Sequence, residues 1–173
     1  MDRPVLFLRG QIINEGCMRY TTILTLSLIL LSGVQAMSIL GIGKTCVFSA
    51  VKLRLLQNGK PVSNTKIYRE WDWNAPHSDE SVTDDEGYVM FPAVFESSVS
   101  RLLPIELVIT QQLSVKIGGE EKFLWTNAKR RPEEHSEYAG AKFDVVCELN
   151  DEEILIEDYG SLMLTICKLN NGE

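Results

Sequence analysis

The sequence predicts an all-β sandwich of about seven antiparallel strands, preceded by an N-terminal signal helix. Three observations carry this. Short apolar runs rich in β-branched residues recur from residue 45 to residue 170; Asn, Gly and Pro punctuate them at short intervals; and no amphipathic helix pattern interrupts them.

The N-terminal segment reads differently. From Met18 the chain runs MRYTTILTLSLILLSGVQA, with Arg19 as a positive n-region, an apolar stretch from Ile23 to Leu31, and Val34 and Ala36 placed as in an A-x-A-like cleavage site. The stretch is shorter than the about 20 apolar residues a membrane span needs, so a cleaved secretory signal is expected rather than an anchor. Residues 1–36 are then an upstream extension and signal peptide, residues 37–173 a single sandwich domain, and the mature protein periplasmic or secreted. The segment MDRPVLFLRGQIINEGC is an odd prelude to a signal and points to Met18 as the natural start. Met37 offers a second start, from which the product would be cytoplasmic.

In the mature span, TCVFSAVKLRLL alternates through Val51, Leu53 and Leu55, and Asn58-Gly59 follows before the chain resumes at Pro61. Asn-Gly between two such runs signals a hairpin, because both central positions of a type I′ turn need positive φ. The next run carries Ile67 and Tyr68 and closes on Trp71 and Trp73, which share a face if both lie in a strand. As a pair they read either as a sandwich wall or as a ligand platform. Asp84, Asp85 and Glu86 then precede Gly87 and the strand-like YVMFPAVF. Consecutive acids in a tight turn point in different directions and lack the alternate spacing of a calcium loop, so this segment is expected to be a turn. Further on, LPIELVITQQLSVKI turns at Gly118-Gly119 and returns as KFLWTNA. An irregular polar section leads to KFDVVCEL, and EEILIE and SLMLTICKL flank a last turn.

Charge limits the partners. Loss of residues 1–36 removes three arginines and two acids from a chain of net charge −7, leaving −8. A general basic field for nucleic acid is therefore disfavoured. The short basic cluster Lys129, Arg130 and Arg131 reads as a solvated loop. Three cysteines survive signal removal, Cys46, Cys147 and Cys167. Buried reduced thiols are the expectation, with a bond between two of the three as the alternative. No catalytic, cofactor or metal residues are assigned: His77 and His135 lie in polar, loop-like sequence without ligand spacing, and no nucleophile elbow or phosphate loop is present. The acidic segment around Asp151, Glu152 and Glu153 reads as a solvated turn or as a docking face for a basic partner.

The residues NGKPVSNTKIYR and TDDEGYVMFP resemble the carboxypeptidase regulatory-like domain, a transthyretin-like β-sandwich of immunoglobulin-like build, over residues 46 to about 95. The remainder is similar to a group of small uncharacterised bacterial proteins that carry this module. The resemblance implies roles in the fold for Asn58, Gly59, Pro61, Thr83, Asp84 and Gly87, and a non-catalytic accessory or binding function. The hydroxyisourate hydrolases, the enzymatic transthyretin-like branch, end in Y-R-G-S, whereas this chain ends CKLNNGE. The expected function is therefore a non-enzymatic exported protein that binds another protein, such as an immunity or inhibitor protein acting on a toxin or lytic enzyme in the bacterial envelope. The contact would be Trp71 and Trp73 or the acidic segment. The alternative is a carbohydrate or other small-ligand module at the tryptophans.

Overall fold

The computed structural model describes residues 43–97 and 106–170. The signal segment, Met37 and the first residues of the run from Leu103 lie outside them. Thirteen strand segments are described: β1 (Lys44–Phe48), β2 (Val51–Gln57), β3 (Lys60–Pro61), β4 (Lys66–Asp72), β5 (Pro76–Val82), β6 (Tyr88–Phe91), β7 (Val94–Ser97), β8 (Ile109–Ile117), β9 (Glu120–Lys129), β10 (Phe143–Glu148), β11 (Ile154–Ile156), β12 (Met163–Thr165) and β13 (Cys167–Leu169). They build an all-β sandwich. One sheet runs β11-β12-β9-β8-β4-β5; the other runs β13-β10-β2-β3, with β6 also paired to β2; β1 and β7 form a small third sheet.

Among the described residues all strand pairs but one are antiparallel. The exception is β2 with β10, where Phe143 to Glu148 run parallel to Val51 to Leu56 in register. Both strands alternate, turning Val51, Leu53, Leu55, Phe143, Val145 and Cys147 inward. From the facing sheet come Ile67, Leu113, Val115 and Trp125. Trp125 packs against Phe143 at 4.7 Å and Phe48 at 5.8 Å between ring centroids, and Phe143 carries Tyr138 edge-on at 5.1 Å. An extra residue in β9 opposite the Leu113–Ser114 step lets Leu124 and Trp125 both point inward and leaves Phe123 outside.

The turns are set by local chemistry. Asn58 and Gly59 take φ of 55° and 72° and join β2 to β3. Their N–H groups donate to Glu148 Oε1 and Oε2 at 2.9 and 2.8 Å, and Asn150 N adds a third bond at 3.2 Å. The bond from Gly59, with those from Asn58 and Asn150, holds the Glu148 carboxyl below its ordinary value. In the acidic turn, Asp84 Oδ1 accepts from Glu86 N and Tyr88 N at 2.9 and 2.8 Å. Thr83 Oγ1 donates to Val62 O and accepts from Thr65 N. At Gly87, with φ of 79°, a Cβ would lie 2.6 Å from Leu55 O and 3.3 Å from the Cβ of Pro61.

Several expectations are corrected. The polar segment PHSDESV, unassigned from sequence, is the seven-residue edge strand β5, paired along its length with β4. Its exposed position asks for no apolar alternation, so the period-two signal is missing. Cys147 and Cys167 are opposite each other on β10 and β13 and form a disulfide, so the expectation of reduced thiols holds only for buried Cys46. Lys129 is not a solvated loop residue, because it closes β9 on the inward face and is buried.

Candidate functional site

The strands place three groups of side chains where function could reside: a polar network inside the sandwich, a cleft beside Trp71, and an apolar strip on the outer face of the six-stranded sheet.

The inner network starts from period two. Gln111 follows Ile109 and precedes Leu113 on β8, and Asn127 and Lys129 follow Trp125 on β9, so all three point inward. Opposite them the 3₁₀ turn Ser136–Tyr138 delivers Glu137, and Ser49 follows β1. Glu137 Oε1 accepts from Lys129 Nζ at 2.8 Å, Gln111 Nε2 at 2.9 Å and Ser49 N at 3.1 Å, and Oε2 accepts from Ser49 Oγ at 2.6 Å. Asn127 Nδ2 donates to Gln111 Oε1 at 2.9 Å. Burial alone would raise the Glu137 carboxyl, but the Lys129 ammonium and the bonds from Lys129, Ser49 and Gln111 outweigh it and hold the carboxyl below its ordinary value.

The carboxylate beside Ser49 is a weak base: Glu137, which accepts the Ser49 hydroxyl, also holds Lys129 and Gln111 and sits below its ordinary value, and the Ser49 oxygen accepts from the backbone of His135, not from the ring. Burial pushes the Cys46 thiol up, despite Lys129 and a Ser49 contact at 3.9 Å, so it is a poor nucleophile. The arrangement braces the fold. Sequence reasoning missed Glu137 and Gln111, although the Ile109-Gln111-Leu113 alternation carried the signal for the second.

A second brace surrounds Arg69, which shares the inward face of β4 with Ile67 and Trp71. Its Nε donates to Asp79 Oδ1 at 2.9 Å and its Nη1 to Pro92 O at 2.6 Å; the guanidinium lies 4.8 Å from the Phe91 ring centroid and 5.2 Å from that of Phe48. This too was missed, and the same alternation could have found it.

Trp71 is nearly buried, and its Nε1 donates to Glu96 Oε1 at 2.9 Å. β4 ends at Asp72, so Trp73 does not continue the strand, and it packs against the core margin. The two rings therefore make no common exposed platform. His77 stacks on Trp71 at 5.5 Å, and an open cleft of about 360 Å³ lies there between Glu70, Asp72, Thr110 and Gln112.

The outer face of the six-stranded sheet is defined by register. Ser78, Glu70, Gln112, Thr126, Leu164 and Leu155 stand opposite one another across β5, β4, β8, β9, β12 and β11. Directly opposed residues share a face, so this row changes from polar to apolar towards β11. Leu162 precedes β12 by one residue, and Phe123 lies outside at the bulge. Leu155, Leu162, Leu164 and Phe123 are exposed by 58%, 54%, 39% and 43%.

The acidic segment lies beside this apolar end. Asp151 pairs with Lys168 at 2.7 Å, while Glu152 and Glu153 are exposed just before β11. Among the described residues no three His, Cys, Asp or Glu side chains gather as a metal ligand set, and no helix is long and apolar enough to cross a membrane. Neither a curated protein nor a solved structure matches the chain. Residues 51–152, more than half of the chain, match the family described as "Domain of unknown function (DUF6795)", and the chain belongs to that family.

Proposed function

We propose that the protein is an exported, non-enzymatic β-sandwich that works by binding another protein, with the transthyretin-like module as its frame. The observation that carries this reading is the apolar end of the outer sheet face. Fully burying an exposed leucine side chain is worth about 1.5–3 kcal/mol, so covering the roughly half-exposed Leu155, Leu162, Leu164 and Phe123 on one face offers a few kcal/mol to a partner. Single scattered apolar residues would offer no such focus. The buried placement of Trp71 favours this face over a tryptophan platform. The Cys147–Cys167 disulfide supports export, because such bonds persist in oxidising compartments. An immunity or inhibitor protein of the envelope is one form of this function.

The test is affinity capture from the envelope fraction of native cells, with the wild type and an L162D/L164D variant of equal thermal stability as baits. A protein held by the wild type and lost by the variant supports the reading. Equal retention by both, or no retained protein, overturns it. A second reading, a small polar ligand in the cleft beside Trp71 and His77, rests on that cleft's mixture of an aromatic wall with Thr110, Gln112 and two carboxylates. Quenching of tryptophan fluorescence by candidate sugars checks it; a response unchanged in H77A would remove it.

A further inference from the structure

The edge of the sheet next to this face has a composition of its own. β11 ends the six-stranded sheet, and among the described residues β12 is its one strand neighbour. Its three residues are all apolar, with Ile154 and Leu155 exposed by 47% and 58%. Ile154 and Ile156 line an open groove of about 310 Å³ with Tyr138, Tyr159 and Leu169, while Leu155 stands on the outer face with Leu164. Both sides of the strand therefore adjoin uncovered apolar surface.

Acids bracket the strand: Glu152 and Glu153 before it, Glu157 and Asp158 after it. All four are exposed, and none has an ion-pair partner among the described residues. A second copy paired antiparallel about Leu155 would set Glu153 against Glu157 and Glu152 against Asp158. Like charges directly opposed are destabilising, so the bracket works against self-pairing. A strand with cations at both ends meets the reverse situation.

We propose that β11 is a docking edge for an extended segment of a partner protein, with an alternating apolar centre and Lys or Arg at both ends. The added strand continues the sheet by main-chain bonds, seats alternate side chains in the groove beside Ile154 and Ile156 and on the face beside Leu155, and pairs its cations with the four carboxylates. This inference rests on the protein-binding reading and adds the site and the chemistry of the partner.

Three peptides test it against the 15N-labelled protein: KKTVTVTKK, EETVTVTEE, and the first with alternate peptide nitrogens methylated. The expected result is binding of the first with amide shifts centred on residues 154–156, at least about tenfold weaker binding of the second, and loss of binding on methylation. The E153K/E157K variant, in which Glu152 and Asp158 remain beside two new lysines, should abolish the preference between the charged peptides. Equal binding of the methylated peptide, shifts centred elsewhere, or no binding of the first at about 1 mM would overturn the proposal. A failure here with capture still lost in L162D/L164D leaves the protein-binding reading in place, whereas a protein retained equally by both baits strikes the outer face and not the edge, and no retained protein strikes both.

Discussion

Replacing Glu137 by Gln removes the charge at the centre of the inner network and nearly preserves its shape. In the native protein Lys129 Nζ lies 2.8 Å from Glu137 Oε1, with side-chain exposures of 1% and 0%. In E137Q the ammonium keeps a neutral acceptor and loses its counter-charge. Breaking a buried pair in this way costs about 3–5 kcal/mol. The new amide group faces Ser49 Oγ, which can turn to accept, so that contact reverses direction and adds little to the loss. K129M acts differently, because Glu137 keeps three donors from Ser49 and Gln111. Loss of one hydrogen bond to a charged group costs about 1.5–3 kcal/mol. In the double variant no buried charge remains in the pair, so its loss should fall short of the sum of the two singles by about 2 kcal/mol. Urea unfolding near neutral pH, followed by tryptophan fluorescence, measures all three against the wild type. A cost below about 1 kcal/mol for E137Q, or a strictly additive double variant, would show that the two groups are not a coupled buried pair.

Three further outcomes are expected. G87A should lose about 3 kcal/mol through left-handed strain, the clash with Leu55 O and weakening of the bond from Leu55 N to Gly87 O, while G119A, which meets open space, should lose about 1; equal melting shifts would refute the clash. Reducing Cys147–Cys167, which closes a 20-residue separation, should lower unfolding free energy by about 3 kcal/mol in a urea titration, and a change under 1 kcal/mol would refute its bracing role. Glu137 and Glu148 both have folded values held below the unfolded carboxyl value of about 4.3, so their contribution is fully present above that pH and is lost as pH falls through the folded values. Thermal melts should therefore fall on acidification below about pH 4.3, and this slope should flatten in E137Q and E148Q; an unchanged slope in both would contradict the assignment.

Where structure is set within a few residues, the sequence is a good guide. Asn58-Gly59 and Thr83 to Gly87 announce turns because positive φ and the Asp84 side chain act locally. Alternation likewise marks β2 and β10. What escapes is whatever depends on a distant partner. Lys129 and Arg69 look like surface residues by type, and their burial is made tolerable by distant partners, the carboxylates of Glu137 and Asp79 among them. Cys147 and Cys167 lie in similar runs, but their bond depends on β13 settling beside β10. Trp71 and Trp73 part company because β4 stops at the residue between them. For the candidate docking edge, the acids are visible in the sequence; the free edge and the groove are products of the tertiary arrangement.

The parallel pairing of β2 with β10 has a consequence for how the protein is made. Lys52 and Asp144, ion-paired across these strands, are separated by 92 positions. The six-stranded sheet contains local hairpins, β4 with β5 and β8 with β9, which can form soon after synthesis. β2 has no such neighbour for the side that β10 will occupy. Until residue 148 has been made, Leu53 and Leu55 lack their neighbours Val145 and Cys147, and the backbone edge of β2 stays open to wrong strands. Closure of the core is thus a late step, and the chain is most in need of protection from aggregation in the interval before it.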